Sequence, residues 1–219
     1  MNVFENIGPV MIGPSSSHTA GAARIGRIAL ALLGEPAAAA DITLYGSFAR
    51  TYRGHGTDRA LVAGVLGIQP EDPRLRDSLF LARQNGLDVR FFTAFDESLH
   101  PNTARLELTG ENGARRTVQA ASIGGGQVLV TAIDGMPVSL TGEHPALVVR
   151  HIDVPGVIAA VAEEVSRAGV NICDFHLARD GKGGNAIMCL EMEGTVDPML
   201  VPRITGLPHV LSVTYLAAV

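Results

Sequence analysis

The sequence predicts an α+β (mixed α/β) chain in two parts. Three observations predict it. Hydrophobic residues make up 47% of 219, ample material for buried cores. Helical and extended patterns alternate over the first 145 or so residues, and the remainder reads β-α-β-β-α-β, the ferredoxin-like order. The length fits one large domain or two modest ones.

Residues 20–33 (AGAARIGRIALALL) place Ala22, Ile25, Ile28, Ala29, Leu32 and Leu33 at spacings of three and four, with Arg24 and Arg27 on another face. That is an amphipathic helix, ended by Gly34 and Pro36. Residues 42–48 (ITLYGSF) read as extended. A second helix starts at Thr57 or Asp58 and runs through RALVAGVLG. A third fits PRLRDSLFLARQNG, with Pro73 in its first turn and Gly86 past its end. Extended segments follow near 88–95, 103–109, 115–121 and 127–133, divided by the turn-rich pieces GENG and GGG. Their order in a sheet is not readable.

Gly142 and Pro145 interrupt regular structure in TGEHPA (141–146), which sets predicted domains of 1–143 and 146–219. In the second domain ALVVRHI (146–152) is a strand, and Val154-Pro155-Gly156 turns into the helix VIAAVAEEVSRAG. VNICDFHLAR and NAIMCLEME form a hairpin, Asp197 and Pro198 open a short helix, and HVLSVTYLAA closes as a strand.

Composition excludes several functions. The formal charge is −5, Trp is absent and aromatics reach only 5%, so there is neither a basic footprint nor stacking platforms for nucleic acid. No apolar run approaches the ~20 residues that cross a bilayer. The opening MNVFENIGPVMIGPSSSHTAG lacks the basic stretch of a secretory leader, so a cytoplasmic location is expected. Two cysteines, Cys173 and Cys189, imply no disulfide framework and are too few for a four-cysteine iron–sulfur cluster. The single lysine, Lys182, lies in the glycine-rich turn DGKGG, a poor place for the Schiff base that pyridoxal phosphate requires.

Four polar clusters carry the candidate chemistry of the first domain. Gly13-Pro14-Ser15-Ser16-Ser17-His18-Thr19 precedes a helix and offers more hydroxyls than capping needs, suiting a small carboxylate or phosphate. In Gly54-His55-Gly56-Thr57-Asp58 the glycines let a substrate approach His55, while Thr57 or Asp58 caps the next helix. His100-Pro101-Asn102-Thr103 holds an Asn able to orient a substrate or a histidine. Ser122-Ile123-Gly124-Gly125-Gly126 permits close packing of a ligand or chain. His18 and His55 suffice for general acid–base work. No metal-ligand spacing and no nucleophile–base–acid triad is evident, which leaves a standalone serine hydrolase without support.

In the second domain His151-Ile152-Asp153-Val154-Pro155-Gly156, followed after one helix by Gly169-Val170-Asn171-Ile172, resembles an ACT domain, a ligand-sensing module of amino-acid metabolism. The resemblance implies pairing with a second copy. It also implies a serine or metal-ion effector at His151, Asp153, Gly156 and Asn171, although serine-sensing relatives carry Asn where Asp153 stands.

GPSSSHT, GHGTD, HPNT and SIGGG, in that order ahead of such a module, resemble the β chains of iron–sulfur-dependent L-serine dehydratases over the full 219 residues. The resemblance implies a first domain like the allosteric-substrate-binding domain of D-3-phosphoglycerate dehydrogenase. It implies a separate α chain whose cysteines hold a [4Fe–4S] cluster that acts on the departing hydroxyl as a Lewis acid. The implied reaction turns L-serine into pyruvate and ammonia, in amino-acid catabolism and gluconeogenesis. On this reading Ser15, Ser16, Ser17 and Thr19 bind the substrate carboxylate, with Thr57, Asn102 and Ser122 also contacting substrate. His18 and His55 orient substrate or move protons; the base is one of them or belongs to the α chain. The alternative is a serine-sensing regulatory module with no direct part in catalysis.

Overall fold

A computed structural model of the chain describes residues 10–219. Residues 1–9, where the leader reading and the first predicted domain begin, lie outside the described residues. The chain divides into two compact units between Asp134 and Gly135.

In the first unit the GPSSSHT segment leads into α1 (Ala22–Leu33) through one wide π-type turn, Ser17–Gly21. There the Gly21 N–H donates to Ser16 O at 3.0 Å, spanning one residue more than an α-turn. Such insertions gather at functional sites. Gly34, at φ 81°, ends α1 in the left-handed conformation that glycine adopts without strain. There follow β1 (Ala37–Leu44), α2 (Gly46–His55) and α3 (Thr57–Val65). A 3-10 turn (Pro73–Asp77) then runs into α4 (Ser78–Gln84), ahead of β2 (Asp88–Thr93), β3 (Thr103–Gly110), β4 (Arg115–Gly124) and β5 (Gln127–Ile133). These strands lie in the order β2-β1-β3-β4-β5. Only β1 and β2 pair parallel. Ile25, Ile28, Ala29 and Leu32 form the buried stripe of α1, as the spacing predicts. The helix crosses α3 at two glycines: a Cβ on Gly26 would meet Leu61 O at 2.3 Å, and one on Gly64 would meet Ala23 O at 2.1 Å.

One helix was not foreseen from the sequence. Residues 42–48 are not all extended, because the chain leaves β1 at Leu44 and Gly46 begins α2. Tyr45 is extended, Gly46 takes φ 51°, and Pro101 O accepts from Ser47 N and Phe48 N at 2.6 and 3.2 Å. That acceptor comes from a distant loop, and among the residues of α2 only Phe48 is buried, so neither periodicity nor a local cap announces the helix.

The second unit opens with β6 (Met136–Leu140) and continues β7 (Ala146–Ile152), α5 (Val157–Arg167), β8 (Asn171–Arg179), β9 (Asn185–Glu193), α6 (Leu200–Thr205) and β10 (Val210–Leu216). From β7 onward this is the predicted β-α-β-β-α-β order, with antiparallel strands arranged β10-β7-β9-β8. Leu147, Val149, Met188 and Leu190 pack with Val157, Val161 and Val165 of α5 and with Leu200 and Ile204 of α6. Glu191 on β9, only 3% exposed, accepts from Thr141 N, Thr141 Oγ1 and Gly142 N at 2.8, 2.8 and 2.9 Å. The TGEHPA segment is thereby tied into the second unit, and the break between units falls before it. Among the described residues no helix is long and apolar enough to cross a membrane.

Candidate active site

Two segments of the first unit, the turn before α1 and helix α2, converge on His18. The wide turn before α1 buries its imidazole to 7% exposure and places both ring nitrogens among hydroxyls. Nδ1 lies 3.3 Å from Ser15 Oγ and 3.2 Å from Ser17 Oγ. Nε2 lies 3.2 Å from Thr51 Oγ1 and 3.5 Å from Ser47 Oγ, one helical turn apart on α2. The edge of Phe48 closes a third side, with ring centroids 5.1 Å apart. His55, in the last turn of α2, meets His18 edge to face at 4.8 Å between centroids. Burial, and second the charge of His55, hold the His18 imidazole below its ordinary value, so it stays neutral near pH 7.

The other two motifs set this geometry from beneath. In HPNT, Pro101 O caps α2, and a Cβ on Gly46 would lie 2.6 Å from Pro101 Cα, so the loop and the helix start are fitted together. Asn102 O accepts from Ser122 N at 3.0 Å, which joins HPNT to SIGGG. Ser122 in turn packs under Gly21, where an added Cβ would lie 2.0 Å from Ser122 Oγ. Arg24 donates to Gly126 O at 2.8 Å. Asn102 and Ser122 therefore bond to each other, the Asn102 N–H donates to His100 Nδ1 at 3.2 Å, and among the described residues neither is hydrogen-bonded to His18 or His55.

A cavity of about 590 Å³ opens beside the pair, lined by Gly13, Thr19 and His55 together with Arg53, Arg59 and Arg76. His18 is not one of the lining residues and adjoins the cavity through its ring contact with His55. Ser15 and Ser17 turn their hydroxyls to His18, while Ser16 contributes its carbonyl to the wide turn. The cations of the cavity wall are the three arginines, which the motif reading missed because they are scattered across α2, α3 and the 3-10 turn. Ser47 and Thr51 were missed for the same reason: α2 itself was not foreseen. Thr57 is fully buried in the first turn of α3, whose cap is Gly56; neither Thr57 nor Asp58 provides the predicted side-chain cap. The hydroxyls of Thr19, Thr57 and Ser122 are buried without a hydrogen-bond partner, three polar groups that folding alone leaves unpaid.

The two cysteines do not suit an iron–sulfur cluster. Cys189 is buried in β9, where burial first, then Glu191 and Asp174, push its thiol up to about 12. Burial also raises the thiol of Cys173 on β8, whereas cluster ligation needs thiolates. Among the described residues no group of three His, Cys, Asp or Glu is placed to hold a metal ion. Lys182 is exposed in the turn between β8 and β9.

In the second unit the four residues expected to hold an effector do not meet within one chain. Ile152 pairs with Asn185 at the start of β9, whereas Asn171 pairs with Glu193 at its end. His151, Asp153 and Gly156 therefore lie at one end of the sheet and Asn171 at the other. Asp153 is already engaged, accepting from Arg179 Nη1 at 2.6 Å and Gly183 N at 3.2 Å. That pairing holds its carboxyl below the usual range, the Arg179 bond being the main cause. Asn171 donates to Glu193 at 2.8 Å, and buried His151 donates from Nδ1 to Ile152 O at 2.8 Å.

Comparison with known proteins gives these motifs a context. Residues 3–84 match the family described as serine dehydratase beta chain. The chain is 40% identical over 216 residues to a probable L-serine dehydratase, beta chain, of Bacillus subtilis (strain 168), covering 99% of this chain and 98% of that one. It is 34% identical over 215 residues to the L-serine dehydratase, beta chain, of Peptoniphilus asaccharolyticus, covering 98% and 97%. A D-3-phosphoglycerate dehydrogenase of Bacillus subtilis is 25% identical over 198 residues, which span 88% of this chain and 36% of the dehydrogenase.

Proposed function

Since the chain belongs to the serine dehydratase beta-chain family, we propose that it is one half of an L-serine ammonia-lyase, with a catalytic pocket completed by an α chain. The observation that carries this is the neutral, buried His18 set against His55 at the wall of an arginine-lined cavity. A neutral imidazole touching a second one at a cavity wall is suited to acid–base chemistry.

The reaction requires loss of the α-proton and the β-hydroxyl of L-serine. The resulting aminoacrylate tautomerises to an imine, and water hydrolyses the imine to pyruvate and ammonia. The α-proton is weakly acidic, so a positioned base and a cationic environment for the carboxylate are both needed. In our reading Arg53, Arg59 and Arg76 receive the carboxylate, His18 takes the proton, and His55 orients the substrate at the cavity wall. The thiols of this chain do not fit a [4Fe–4S] cluster; a cluster of the family kind would be held by the α chain, where it would supply Lewis-acid chemistry toward the hydroxyl. The second unit is consistent with an ACT module that pairs with a second copy. Because Asp153 and Asn171 lie at opposite ends of one sheet, an effector site built from both requires two copies.

The test is His18→Ala and His55→Ala in the enzyme reconstituted with its α chain under anaerobic conditions, read by pyruvate release. With assembly intact, loss of about 10²-fold or more in kcat is expected for His18→Ala, which removes the base, and a fall in kcat/KM for His55→Ala, which removes the orienting group. Near-native turnover in both variants, with serine still bound, would overturn this reading. The regulatory alternative would then stand, which the match to part of a dehydrogenase also accommodates.

A further inference from the structure

The hydroxyls around His18 are not interchangeable, and their donors can be assigned in order. Thr51 Oγ1 has one proton, and its short bond, 2.8 Å, goes to Ser47 O one turn back on α2. Threonine in a helix makes this back-bond readily. The proton being spent there, Thr51 Oγ1 turns a lone pair toward His18 Nε2 at 3.2 Å, a contact that is a hydrogen bond only if Nε2 carries hydrogen. On the opposite edge, Ser15 Oγ already accepts from the His18 backbone N–H at 3.4 Å. Its hydroxyl proton is then free to point at Nδ1, 3.3 Å away, with Ser17 Oγ beside it at 3.2 Å. The Nε2 edge calls for the hydrogen on that nitrogen, and the Nδ1 edge accommodates it, because Ser15 Oγ and Ser17 Oγ, 3.3 Å from each other, are each free to donate as well as accept.

We infer that Thr51 is a positioning residue that fixes the proton of neutral His18 on Nε2, leaving Nδ1, on the Ser15–Ser17 side, as the nitrogen that accepts a proton. Thr51 touches no substrate in this scheme. It acts through His18, as a fixed partner on one imidazole nitrogen defines the role of the other. Ser47 contributes chiefly its carbonyl, since its own hydroxyl lies 3.5 Å from Nε2. The tautomer assignment stands on hydrogen-bond geometry alone; only its consequence for turnover rests on the proposed role of His18.

The experiment is ¹⁵N NMR of the full chain labelled at histidine, above pH 6.5 where His18 is neutral, on the wild type, Thr51→Val and Thr51→Ser. The shift of each ring nitrogen reports which one is protonated. The expected result is protonated Nε2 in the wild type and in Thr51→Ser, and transfer toward Nδ1, or a mixture, in Thr51→Val. In the reconstituted enzyme Thr51→Val should lose about tenfold in kcat with KM within about twofold, and Thr51→Ser should recover most of that loss. Protonated Nδ1 in the wild type overturns the inference without any variant. So does an unchanged tautomer in a folded Thr51→Val. A tautomer that moves while turnover does not upholds the inference and removes His18 from the proposed chemistry, so the two failures are distinguishable.

Discussion

The rings of His18 and His55 stand 4.8 Å apart at 87°, one from the turn that opens α1 and the other from the end of α2. Burial first, and the charge of His55 second, hold the His18 imidazole below its ordinary value. The sign of the pH dependence follows. His18 must be unprotonated to accept a proton, and its value lies below 6.5, so the acid limb of kcat/KM falls below pH 6.5. Removing His55 removes one cause of the depression and opens the site to water. In His55→Ala the residual activity should therefore show its limb displaced upward, toward 6.5. A limb that stays fixed or moves down, in a pH–rate series on both forms, would show that the two rings are not coupled.

The arginines make a separable prediction. Arg59 and Arg76 line the cavity with Arg53, and the charges of Arg59 and Arg53 also act on the neighbouring Asp58 carboxylate. If they hold the serine carboxylate in ground state and transition state alike, their loss weakens binding more than chemistry. The double variant Arg59→Ala/Arg76→Ala is expected to raise KM for L-serine by about tenfold or more, the worth of a hydrogen bond to a charged group, with kcat changed by less than about threefold. Steady-state kinetics on the reconstituted enzyme decide it; a loss confined to kcat would place these arginines elsewhere in the reaction.

The crossing of α1 and α3 gives a prediction about folding rather than function. Alanine is the better helix former by about 1 kcal/mol, so on propensity alone Gly26→Ala and Gly64→Ala should stabilise. The contact says otherwise, because the new methyl would lie 2.3 Å from Leu61 O in one case and 2.1 Å from Ala23 O in the other. Backbone atoms on rigid helices do not give way, and overpacking of this kind costs roughly 1–3 kcal/mol. Each substitution should lower the urea midpoint of the full chain, whereas Gly54→Ala, whose Cβ would meet nothing within 4 Å, should not.

How far the sequence exposed these features depended on whether the signal was local. The stripe Ile25, Ile28, Ala29 and Leu32 and the alternation in β3 are carried by neighbouring residues, and both appear where periodicity puts them. So does the β-α-β-β-α-β order, because each of its turns is marked by Gly or Pro within the segment itself. The helix α2 was hidden, since its cap is Pro101 O and its partner His18 belongs to another element. Missing α2 meant missing Thr51, Ser47 and the orientation of His55. The four motifs were legible as unusual chemistry, but their division of labour was not: Asn102 and Ser122 brace the floor by bonding to each other, and only the folded chain shows it. The effector quartet is divided within one chain for a related reason. Sequence order placed Asp153 and Asn171 on either side of one helix, and the length of that helix carries them to opposite ends of the sheet.

One carboxylate supplies the side-chain anchor of the segment after β6, whose backbone is also held where Val219 N donates to Gly142 O at 2.9 Å and Met192 N to Pro145 O at 2.8 Å. Glu191 is 3% exposed yet accepts three hydrogen bonds from Thr141 and Gly142, two of them from backbone N–H groups that would otherwise lack a partner. A buried charge is tolerable only while those donors surround it. Glu191→Ala removes the acceptor and leaves a cavity with unsatisfied donors, so a loss of about 3 kcal/mol or more is expected. Glu191→Gln keeps one carbonyl oxygen of the same reach but brings an NH₂ toward groups that also donate, so it should lose less, about 1–2 kcal/mol. The ordering Ala below Gln below wild type, read from urea unfolding of the full chain, is the discriminating result. Equal stability of all three would mean that the Thr141–Gly142 turn is held by something other than this carboxylate.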